Sequence, residues 1–412
     1  MERVVITGMG LISPLGNTIG QFWDRLISGE SGISPITSFD TTGFKTRIAG
    51  EVRDFDAEGR FGRKEARRMD RFSQFALAAT EEAWKHSGLQ LDKIDKERLG
   101  VYVGSGVGGI QTLMDQGTVL KDRGPDRVSP TLIPMMISNM AAAMISIKFG
   151  ALGPTMSPVT ACSIGNTAIG EAFRLIRYGG ADIVIAGGSE AAITGISLAS
   201  FGNATSLSTR NEEPTKASRP FDGERDGFVI GEGGGIVILE SLSHAQRRNA
   251  KIHGEVIGYG ASSDAYHMVA THPEGIGAYQ AMKLALNEAN LQPHNVDVIS
   301  AHATSTVVGD HSETLAIKKL FGEHAYHIPV TANKSMTGHA LGAAGGLEAI
   351  ALVKSIQEGI IPPTINQDTP DSICDLDYVP NNARKANLEI GISNSFGFGG
   401  HNAVIVIRKF VD

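Results

Sequence analysis

Cysteine is nearly absent from this sequence, since Cys162 and Cys374 are the only two among 412 residues. Two cysteines cannot form the disulfide framework of a small secreted scaffold, and their scarcity is typical of a reducing compartment. The chain also lacks an uninterrupted apolar run of about 18 residues, so no membrane-spanning helix is expected. Its first residues show neither the basic region nor the long apolar region of a secretory signal. We therefore expect a cytoplasmic protein with no membrane partner.

Basic residues are also in deficit. The 37 Lys and Arg residues are outnumbered by 44 Asp and Glu residues, which gives a formal net charge of −7. A general nucleic-acid binder is therefore not expected. Glycine, by contrast, is abundant at 50 residues and is dispersed through apolar segments, which indicates tight turns and close approaches of the backbone. With 42% hydrophobic and 20% charged residues, the chain can bury a sizeable core.

Short β-branched runs alternate with longer helical patterns, which predicts an α/β protein with buried, mostly parallel strands. The predicted strands are residues 4–7, 100–103, 154–159, 183–186, 235–239, 296–301, 328–331, 390–393 and 403–407. The predicted helices include residues 71–87, 163–178, 275–289 and 338–358, the last of them rich in Ala and Gly and therefore expected to pack tightly. The polar stretch 201–227 predicts a long loop, and residues 121–126 predict a turn.

The two halves of the chain are similar to each other. Each begins with a β-branched strand that ends in a glycine turn, at residues 4–8 and 255–260, and each closes on a β-branched strand. No short repeat of fixed period is present, which excludes a solenoid. We therefore expect two halves, residues 1–250 and residues 251–412.

The first candidate functional segment is TACSIGN, residues 160–166. It follows a predicted strand and opens a predicted helix, so that Cys162 lies at a helix N-terminus. Free backbone N–H groups and the helix dipole lower the pKa of a thiol there and favour a thiolate nucleophile. The alternative is a buried cysteine that packs as a small apolar side chain.

Two further segments carry a histidine, each after a predicted strand. His302 precedes small hydroxyl residues in HATST, at a place where α/β sheets have their ligand crevice. Lys334 and His339 lie five residues apart in NKSMTGHALG and can converge on one point. The alternatives are a structural histidine, a helix-capping loop with a solvated lysine, and a metal site, for which the usual ligand spacing is missing.

Glycine-rich segments supply the last two candidates. NSFGFGGHN, at residues 394–402, suits a mobile apolar flap of Phe396 and Phe398 whose N–H groups face an oxyanion; the alternative is a plain β-turn. GSGVGG, at residues 104–109, satisfies the GxGxxG pattern of dinucleotide sites. The acid expected about 20 residues later falls in a predicted turn with no preceding strand, so a dinucleotide site is disfavoured.

Together these segments resemble the β-ketoacyl-[acyl-carrier-protein] synthases, closest to the synthase II type of fatty-acid elongation. The similarity runs nearly end to end, through VVITGMGLISPLG, KEARRMDRFSQFA, VTACSIGN, SRPFDGERDGFVIGEG, SSDAYHM, NKSMTGHALGAAGG, IPPTIN, CDLDYVP and SNSFGFGGHN. The ordered set of Cys, His, Lys-x-x-x-x-His and GFGG is far more specific than any member alone. The resemblance implies a thiolase-like duplicated α/β fold with five layers, α-β-α-β-α, in a homodimer.

Carried over by position, the resemblance implies a catalytic triad of Cys162, His302 and His339, with Lys334 as the essential lysine. It further implies that Phe398 is a gating residue whose backbone N–H joins that of Cys162 in an oxyanion hole. The implied reaction is a decarboxylative Claisen condensation of an acyl group, held on the cysteine, with malonyl-acyl-carrier protein. No metal or organic cofactor is implied.

The same resemblance assigns residues to the substrate. Val107 matches a position associated with selection of the acyl chain length, and Phe201 matches another apolar wall. The expected substrate-binding residues are Val107, Phe201, Thr304, Thr306 and Phe396. The GxGxxG segment thereby becomes a tight turn near the acyl chain.

An acidic carrier protein needs a basic face on this acidic protein. Basic residues recur at three- and four-residue spacing between positions 60 and 71, which predicts one helical face. Docking is expected on Lys64, Arg67 and Arg68, and the alternative is an ordinary solvated face with Glu65 and Asp70 as partners.

Two positions depart from the family pattern. Ala303 stands where the family usually has glycine after the histidine; its Cβ limits positive φ and predicts a different local backbone. Thr205 stands where some relatives carry a basic contact to the carrier. A thiolase, which uses a second catalytic cysteine, is disfavoured because Cys374 does not lie in a Cys-x-Gly loop. A non-catalytic chain-length factor is disfavoured because such partners typically lack the nucleophile, and Cys162 is present here with the whole triad. A dehydrogenase rests on the GxGxxG turn alone.

Overall fold

The computed structural model describes residues 1–411, and in this range no helix is long and apolar enough to cross a membrane. The helices and strands of the first half are β1 (Val4–Ile12), α1 (Ile19–Ile27), β2 (Ser34–Pro35), β3 (Ile48–Ala49), α2 (Ala57–Phe61), α3 (Arg63–Ala66), α4 (Arg71–Ser87), β4 (Leu99–Gly104), α5 (Ile110–Arg123), α6 (Leu132–Met136), α7 (Met140–Phe149), β5 (Thr155–Met156), α8 (Ile164–Arg177), β6 (Ile183–Glu190), α9 (Gly195–Asn203), β7 (Gly233–Ser241) and α10 (Leu242–Arg247).

The second half follows the same alternation. Its helices and strands are β8 (Gly254–Ser263), α11 (Ile276–Glu288), β9 (Val298–Ser300), α12 (Val307–Phe321), β10 (Val330–Thr331), α13 (Lys334–Thr337), α14 (Ala344–Glu358), β11 (Ile360–Ile361), β12 (Arg384–Lys385), β13 (Ile390–Gly397) and β14 (His401–Arg408).

The large sheet consists of two copies of one five-stranded unit. Its order is β10-β9-β13-β14-β8-β1-β7-β6-β4-β5, and outward from the centre each half has two antiparallel pairings followed by two parallel ones. Three residue pairs join the halves, between Val4–Ile6 of β1 and Gly254–Val256 of β8. This topology is the predicted duplication.

Helices cover and separate the two halves of the sheet. α8 and α14 contact each other and strands of both halves, whereas α4 and α7 pack on the first half and α11, with α12 beside it, packs on the second. The order of layers is therefore α-β-α-β-α, as expected. α8 and α14 approach through glycine: a Cβ on Gly165 would lie 2.4 Å from the backbone nitrogen of Gly346, which no other residue type tolerates.

The helix predicted at residues 71–87 is α4, and its ends have local causes. The Asp70 carboxylate accepts the backbone N–H of Phe72 at the N-terminus, and Gly88 closes the C-terminus with φ +67°. Asx N-caps and left-handed glycines satisfy the free backbone groups of helix ends.

The predicted glycine turns at the start of each half are wrong. β1 continues through Gly8 to Ile12, and β8 continues through Gly260 to Ser263. The glycines serve a close approach: a Cβ on Gly8 would lie 2.3 Å from the carbonyl oxygen of Ala83 on α4, and one on Gly260 would lie 2.0 Å from that of Ala281 on α11.

Four other boundaries differ from the predictions. The strand expected at 154–159 is limited to β5, and the helix expected at 338–358 begins at Ala344 because Gly338, at φ +67°, ends α13 first. The loop expected from residue 201 begins later, since Thr194 caps α9 and the helix runs to Asn203. The turn expected at 121–126 starts only after Arg123, where α5 ends.

Candidate active site

One cavity of about 450 Å³ gathers nearly all the predicted site residues. It lies where β4, β9 and β13 end and where α8 begins. Its lining includes Cys162, His302, His339, Phe398, Val107, Phe201, Thr304, Thr306 and Phe396. Lys334 lies behind this lining, and Cys374 packs elsewhere, in the core of the second half.

The duplication explains why Cys162 and His339 meet. Cys162 lies in the 3-10 turn Ala161–Ser163, between β5 and α8, and His339 precedes the corresponding turn Leu341–Ala343, between β10 and α14. Both turns begin on a residue of positive φ, +51° at Ala161 and +47° at Leu341. The two turns contact each other, so the pseudo-twofold axis brings one functional segment of each half to the same cavity.

The Cys162 thiol is buried, and the resting state differs from the expected thiolate. Burial raises its pKa to about 12, while the positive charge of Lys334 and the backbone N–H groups of Phe398 and Cys162 act in the opposite direction. The predicted lowering at the helix N-terminus is therefore wrong, because desolvation of the sulfur outweighs the nearby dipoles. The same two N–H groups are the expected oxyanion-hole donors.

His302 and His339 present two neutral imidazoles to the cavity. Their ring centroids are 5.4 Å apart and their planes are nearly perpendicular, at 88°. Burial, reinforced by the charge of Lys334, holds the pKa of both rings well below the ordinary value. Neither Nδ1 atom has a hydrogen-bond partner among residues 1–411. A neutral imidazole carries one N–H, so each ring has a donor to offer to a developing negative charge.

Lys334 is held by a carboxylate that the motifs did not reveal. Its ammonium forms an ion pair with Glu348 of α14, and burial raises the pKa of Glu348 to about 7. The lysine thus supplies positive charge next to the histidines without entering the cavity.

A second unpredicted carboxylate, Glu313 of α12, fixes the His302 loop. Its oxygens accept the backbone N–H groups of His302 and Ala303 at 2.9 and 2.8 Å, and the side-chain amide of Asn394 at 3.0 Å. Ala303 has φ +40° and Ser305 has φ +70°. The loop therefore takes a positive φ at residue 303 although this residue carries a Cβ.

Glu190, at the end of β6, is the third unpredicted carboxylate. It accepts the hydroxyl of Ser105 at 2.7 Å and the backbone N–H groups of Gly106, Val107 and Gly342 at 2.8, 3.2 and 3.1 Å. The N–H groups of the GxGxxG turn are therefore taken by a carboxylate of the protein, which leaves them unable to cradle a phosphate. An acid at the end of an otherwise apolar strand was the available signal in the sequence.

The basic residues near position 60 do not share one helical face. Gly62, at φ +79°, separates α2 from α3, Arg60 pairs with Glu81 at 2.8 Å, and Arg71 pairs with Glu232 at 2.8 Å. The prediction of a single face is wrong because the helix breaks and two members pair with acids. Lys64, Arg67 and Arg68 are exposed. Thr205 is also exposed and lines the rim of the cavity.

One cluster of metal-ligand types lies outside this cavity. The ligand atoms of His311, Asp371 and Cys374 lie within 4.8 Å of one another. The carboxylate of Asp371 accepts from Nε2 of His311 at 2.9 Å and from the guanidinium of Arg225 at 2.9 Å. The fixed positive charge of Arg225 opposes a cation there.

A duplicated five-layer α/β fold with a cysteine and two histidines at one cavity defines a thiolase-fold condensing enzyme. The model of the β-ketoacyl synthase N-terminal domain matches residues 1–245 and that of the C-terminal domain matches residues 253–368. The chain belongs to the β-ketoacyl synthase family.

Similar proteins cover the whole chain. It is 51% identical over 409 residues to the 3-oxoacyl-[acyl-carrier-protein] synthase 2 of Synechocystis sp., covering 99% of this chain and 98% of the relative. It is 49% identical over 411 residues to the protein of the same name from Coxiella burnetii, covering 100% and 99%. One chain of a solved structure, the AntDE:AntF type II PKS acyl-carrier protein in complex with its ketosynthase, is 37% identical with a TM-score of 0.91, and the match covers 99% of this chain and 100% of that chain.

Proposed function

We propose that this protein elongates fatty acyl chains by condensing an acyl group with malonyl-acyl-carrier protein, giving 3-oxoacyl-acyl-carrier protein and CO2. The observation that carries the proposal is the shared cavity of Cys162, two neutral histidines and the N–H groups of Phe398 and Cys162. The names of its relatives support the same reaction.

Acyl transfer comes first. The sulfur of Cys162 attacks the thioester carbonyl of the acyl-carrier protein, and the oxyanion accepts hydrogen bonds from the N–H groups of Phe398 and Cys162. The tetrahedral intermediate collapses to an acyl-cysteine, and the carrier leaves as a thiol with the proton lost by Cys162. The resting thiol has a raised pKa, and the positive charge of Lys334 and the two N–H groups act against this shift. They therefore favour the sulfur anion that attacks.

Condensation follows on malonyl-carrier protein. Loss of CO2 leaves the bonding electron pair on an enolate. The enolate oxygen accepts hydrogen bonds from the N–H groups of His302 and His339. Each ring serves as a donor in its neutral form, which carries one N–H. Burial and the charge of Lys334 keep both rings in that form. The enolate carbon attacks the acyl-cysteine carbonyl, the carbon–sulfur bond breaks, and Cys162 leaves as the sulfur anion, which takes one proton from solvent.

The acyl chain and the carrier arm have separate walls in the cavity. Val107, Phe201 and Phe396 supply apolar surface, and the Phe201 ring lies 6.3 Å from that of Phe398. The hydroxyls of Thr304 and Thr306 are 3.0 Å apart and line the other side. Hydroxyls suit a polar carrier arm, whereas aromatic and aliphatic groups suit the acyl chain.

The acyl-carrier protein docks on Lys64, Arg67 and Arg68. Arg67 and Arg68 make only long contacts, 3.5 Å, to Glu58 and Glu65, and exposed pairs of this kind are worth little. Their charges are therefore available to an acidic partner. We expect Lys64→Glu and Arg67→Glu to raise KM for the carrier with kcat nearly unchanged, whereas Lys121→Glu, on exposed α5, leaves KM unaltered; equal effects would argue against this surface.

A second copy of the chain covers the edge of the sheet at β5. β5 is the last strand in the order and both its residues are exposed, and an unprotected edge strand invites pairing. Met156 of β5 is an exposed apolar side chain, and three more lie near the strand in the sequence, namely Ile147, Leu152 and Val159. We expect a homodimer by sedimentation and a monomer after Leu152→Asp.

Intact mass after incubation with a medium-chain acyl-carrier protein tests the reaction. The wild type and Cys374→Ala should each gain one acyl group, and Cys162→Ala should gain none. Malonyl-carrier protein should then remove the adduct and release a product two carbons longer. No adduct at any chain length, or an adduct that survives in Cys162→Ala, would refute the proposed function.

The working compartment is the cytoplasm. Both cysteines are free thiols, and reducing conditions keep the nucleophile in that form. Fractionation of the producing cells tests this assignment.

A further inference from the structure

A second cleft, of about 810 Å³, lies at the C-terminal ends of α4 and α14, away from the cavity that holds Cys162. We call it the dihistidine cleft, and its lining includes Lys85, His86, Lys251, His253, Lys354 and Gln357. None of these residues takes part in the proposed condensation. Residues 241–254, which connect the two halves and supply two of these positions, contain no acidic residue.

His253 brings an unused donor to this cleft. The residue is only 4% exposed, and its Nδ1 is 3.0 Å from the side-chain nitrogen of Gln357. An amide nitrogen can only donate, so Nδ1 accepts and the ring proton lies on Nε2. That Nε2 is buried and has no partner among residues 1–411. A buried donor without an acceptor is costly, so an acceptor that reaches this edge of the ring would gain a hydrogen bond that the protein leaves unmade.

His86 packs against His253 and is a second possible donor in the lining of the cleft. Its ring centroid is 4.2 Å from that of His253, and its Nδ1 accepts the backbone N–H of Met9 at 3.2 Å. The proton of this ring is therefore also on Nε2. Two adjacent imidazoles that both present N–H groups match an acceptor-rich ligand and leave no lone pair for a metal ion.

The charges around the two rings are positive. Burial is the largest cause of the lowered pKa of both imidazoles, and the charges of Lys251 and Lys354 lower the pKa further. Within the described chain, Lys85 and Lys251 form no ion pair, and Lys354 pairs only with Glu358.

The acids that line the cleft are already engaged. Glu81 pairs with Arg60 at 2.8 Å and with Lys148 at 3.5 Å, and Glu82 accepts the backbone N–H groups of Leu11 and Ile19, both at 2.9 Å. Among the described residues, Glu82 keeps a carboxylate without an ion pair, but Lys85 and Lys251 are two ammonium groups without one, so the balance of unpaired charge in the cleft is positive.

We propose that the dihistidine cleft is a binding site for an oxyanion of the phosphate class. Two imidazoles and three ammonium groups line it, which are more donors than a single carboxylate can satisfy, and tetrahedral phosphate oxygens accept from many directions. The cleft is larger than one phosphate, so a pyrophosphate or a phosphate monoester fits. The site is separate from the condensing cavity.

Isothermal titration of the full-length protein tests the site with three probes: inorganic phosphate, pyrophosphate and adenosine 5′-monophosphate. We expect saturable binding at one site per chain. Tighter binding of pyrophosphate than of the nucleotide identifies an inorganic ligand, and the reverse order identifies an organic phosphate monoester. No saturable binding of any probe would overturn the proposal.

Variants separate the site from general attraction between charges. Lys251 is exposed, and Lys251→Glu should weaken binding of the probe at least tenfold. Lys385→Glu makes the same charge change on exposed β12 and should change the affinity less than twofold. His253→Phe keeps a ring against His86 but removes the donor, and it should also weaken binding. Equal losses of affinity in Lys251→Glu and Lys385→Glu would refute the proposed binding site. This comparison remains possible even if His253→Phe does not fold.

Discussion

Lys334 and Glu348 form an ion pair whose side chains are only 2% and 3% exposed to solvent. The pair joins α13 to α14, and its ammonium helps to keep His302 and His339 neutral. The charge that tunes the cavity is thus held just outside it.

Removal of this lysine should destabilise the protein and change the site. In Lys334→Ala the Glu348 carboxylate is left buried and unpaired, so we expect a loss of about 3–5 kcal/mol in the free energy of unfolding, together with loss of condensation. Chemical denaturation measures the stability. Lys409→Ala, which breaks the half-exposed pair with Glu389, is the control and should cost no more than about 1 kcal/mol. Similar losses in both variants would contradict the argument.

Asp310 should make stability fall as the pH rises. Burial raises the pKa of this carboxyl to about 7 in the folded protein, although Arg225 acts against the shift, whereas an unfolded Asp titrates near 3.9. Its stabilising contribution is therefore complete below about pH 4 and is lost as the pH approaches 7. Relative to Asp310→Asn, the wild type should lose up to about 1.4 kcal/mol per pH unit in this window.

Denaturation of both proteins between pH 4.5 and 8 measures that difference. Asp377→Asn is the control, because Arg384 lowers the pKa of Asp377 and the corresponding difference should be flat above pH 4.5. A flat difference for Asp310→Asn would show that Asp310 is ionised throughout.

Ala303→Gly should leave the protein as stable as before or stabilise it by up to about 1 kcal/mol. The backbone at Ala303 has φ +40°, and glycine adopts that region without the strain of a Cβ. Ala301→Gly is the matched control: Ala301 is equally buried but does not have a positive φ, so glycine there should destabilise by about 1 kcal/mol. Equal destabilisation of both variants, measured by urea unfolding, would argue against strain at residue 303.

Val107→Phe should shorten the acyl chain that the enzyme accepts. Val107 lines the cavity, and a phenyl ring there fills space that the chain needs. Intact mass should show acylation by a six-carbon substrate close to that of the wild type and strongly reduced acylation by a fourteen-carbon one. Val411→Phe, at a residue 63% exposed, should change neither; an unchanged length profile in Val107→Phe would remove this residue from the acyl wall.

Local signals in the sequence were sufficient for several elements and for the class of fold. α4 was predicted at its full length, and the structure shows that Asp70 and Gly88 cap its two ends. The duplicated α/β fold was predicted from alternation of strands and helices and from the family resemblance, and the sheet topology confirms it. The glycine turns were predicted wrongly, because a glycine in a turn and one under a crossing helix look the same in a sequence.

Motif composition made Cys162, His302, Lys334 and His339 candidates, and the family resemblance supplied their expected roles; the structure places three of them at one cavity with Lys334 behind it. Their electrostatic state was decided by tertiary structure. Burial raises the pKa of Cys162 against the helix effect that its position predicts. Of the supporting carboxylates, Glu190 comes from a distant segment, whereas Glu313 and Glu348 come from the helix that follows each motif, and only the folded chain brings them to the groups they hold. Desolvation and long-range hydrogen bonding depend on what surrounds a group in space, and residues far apart in the chain provide those surroundings.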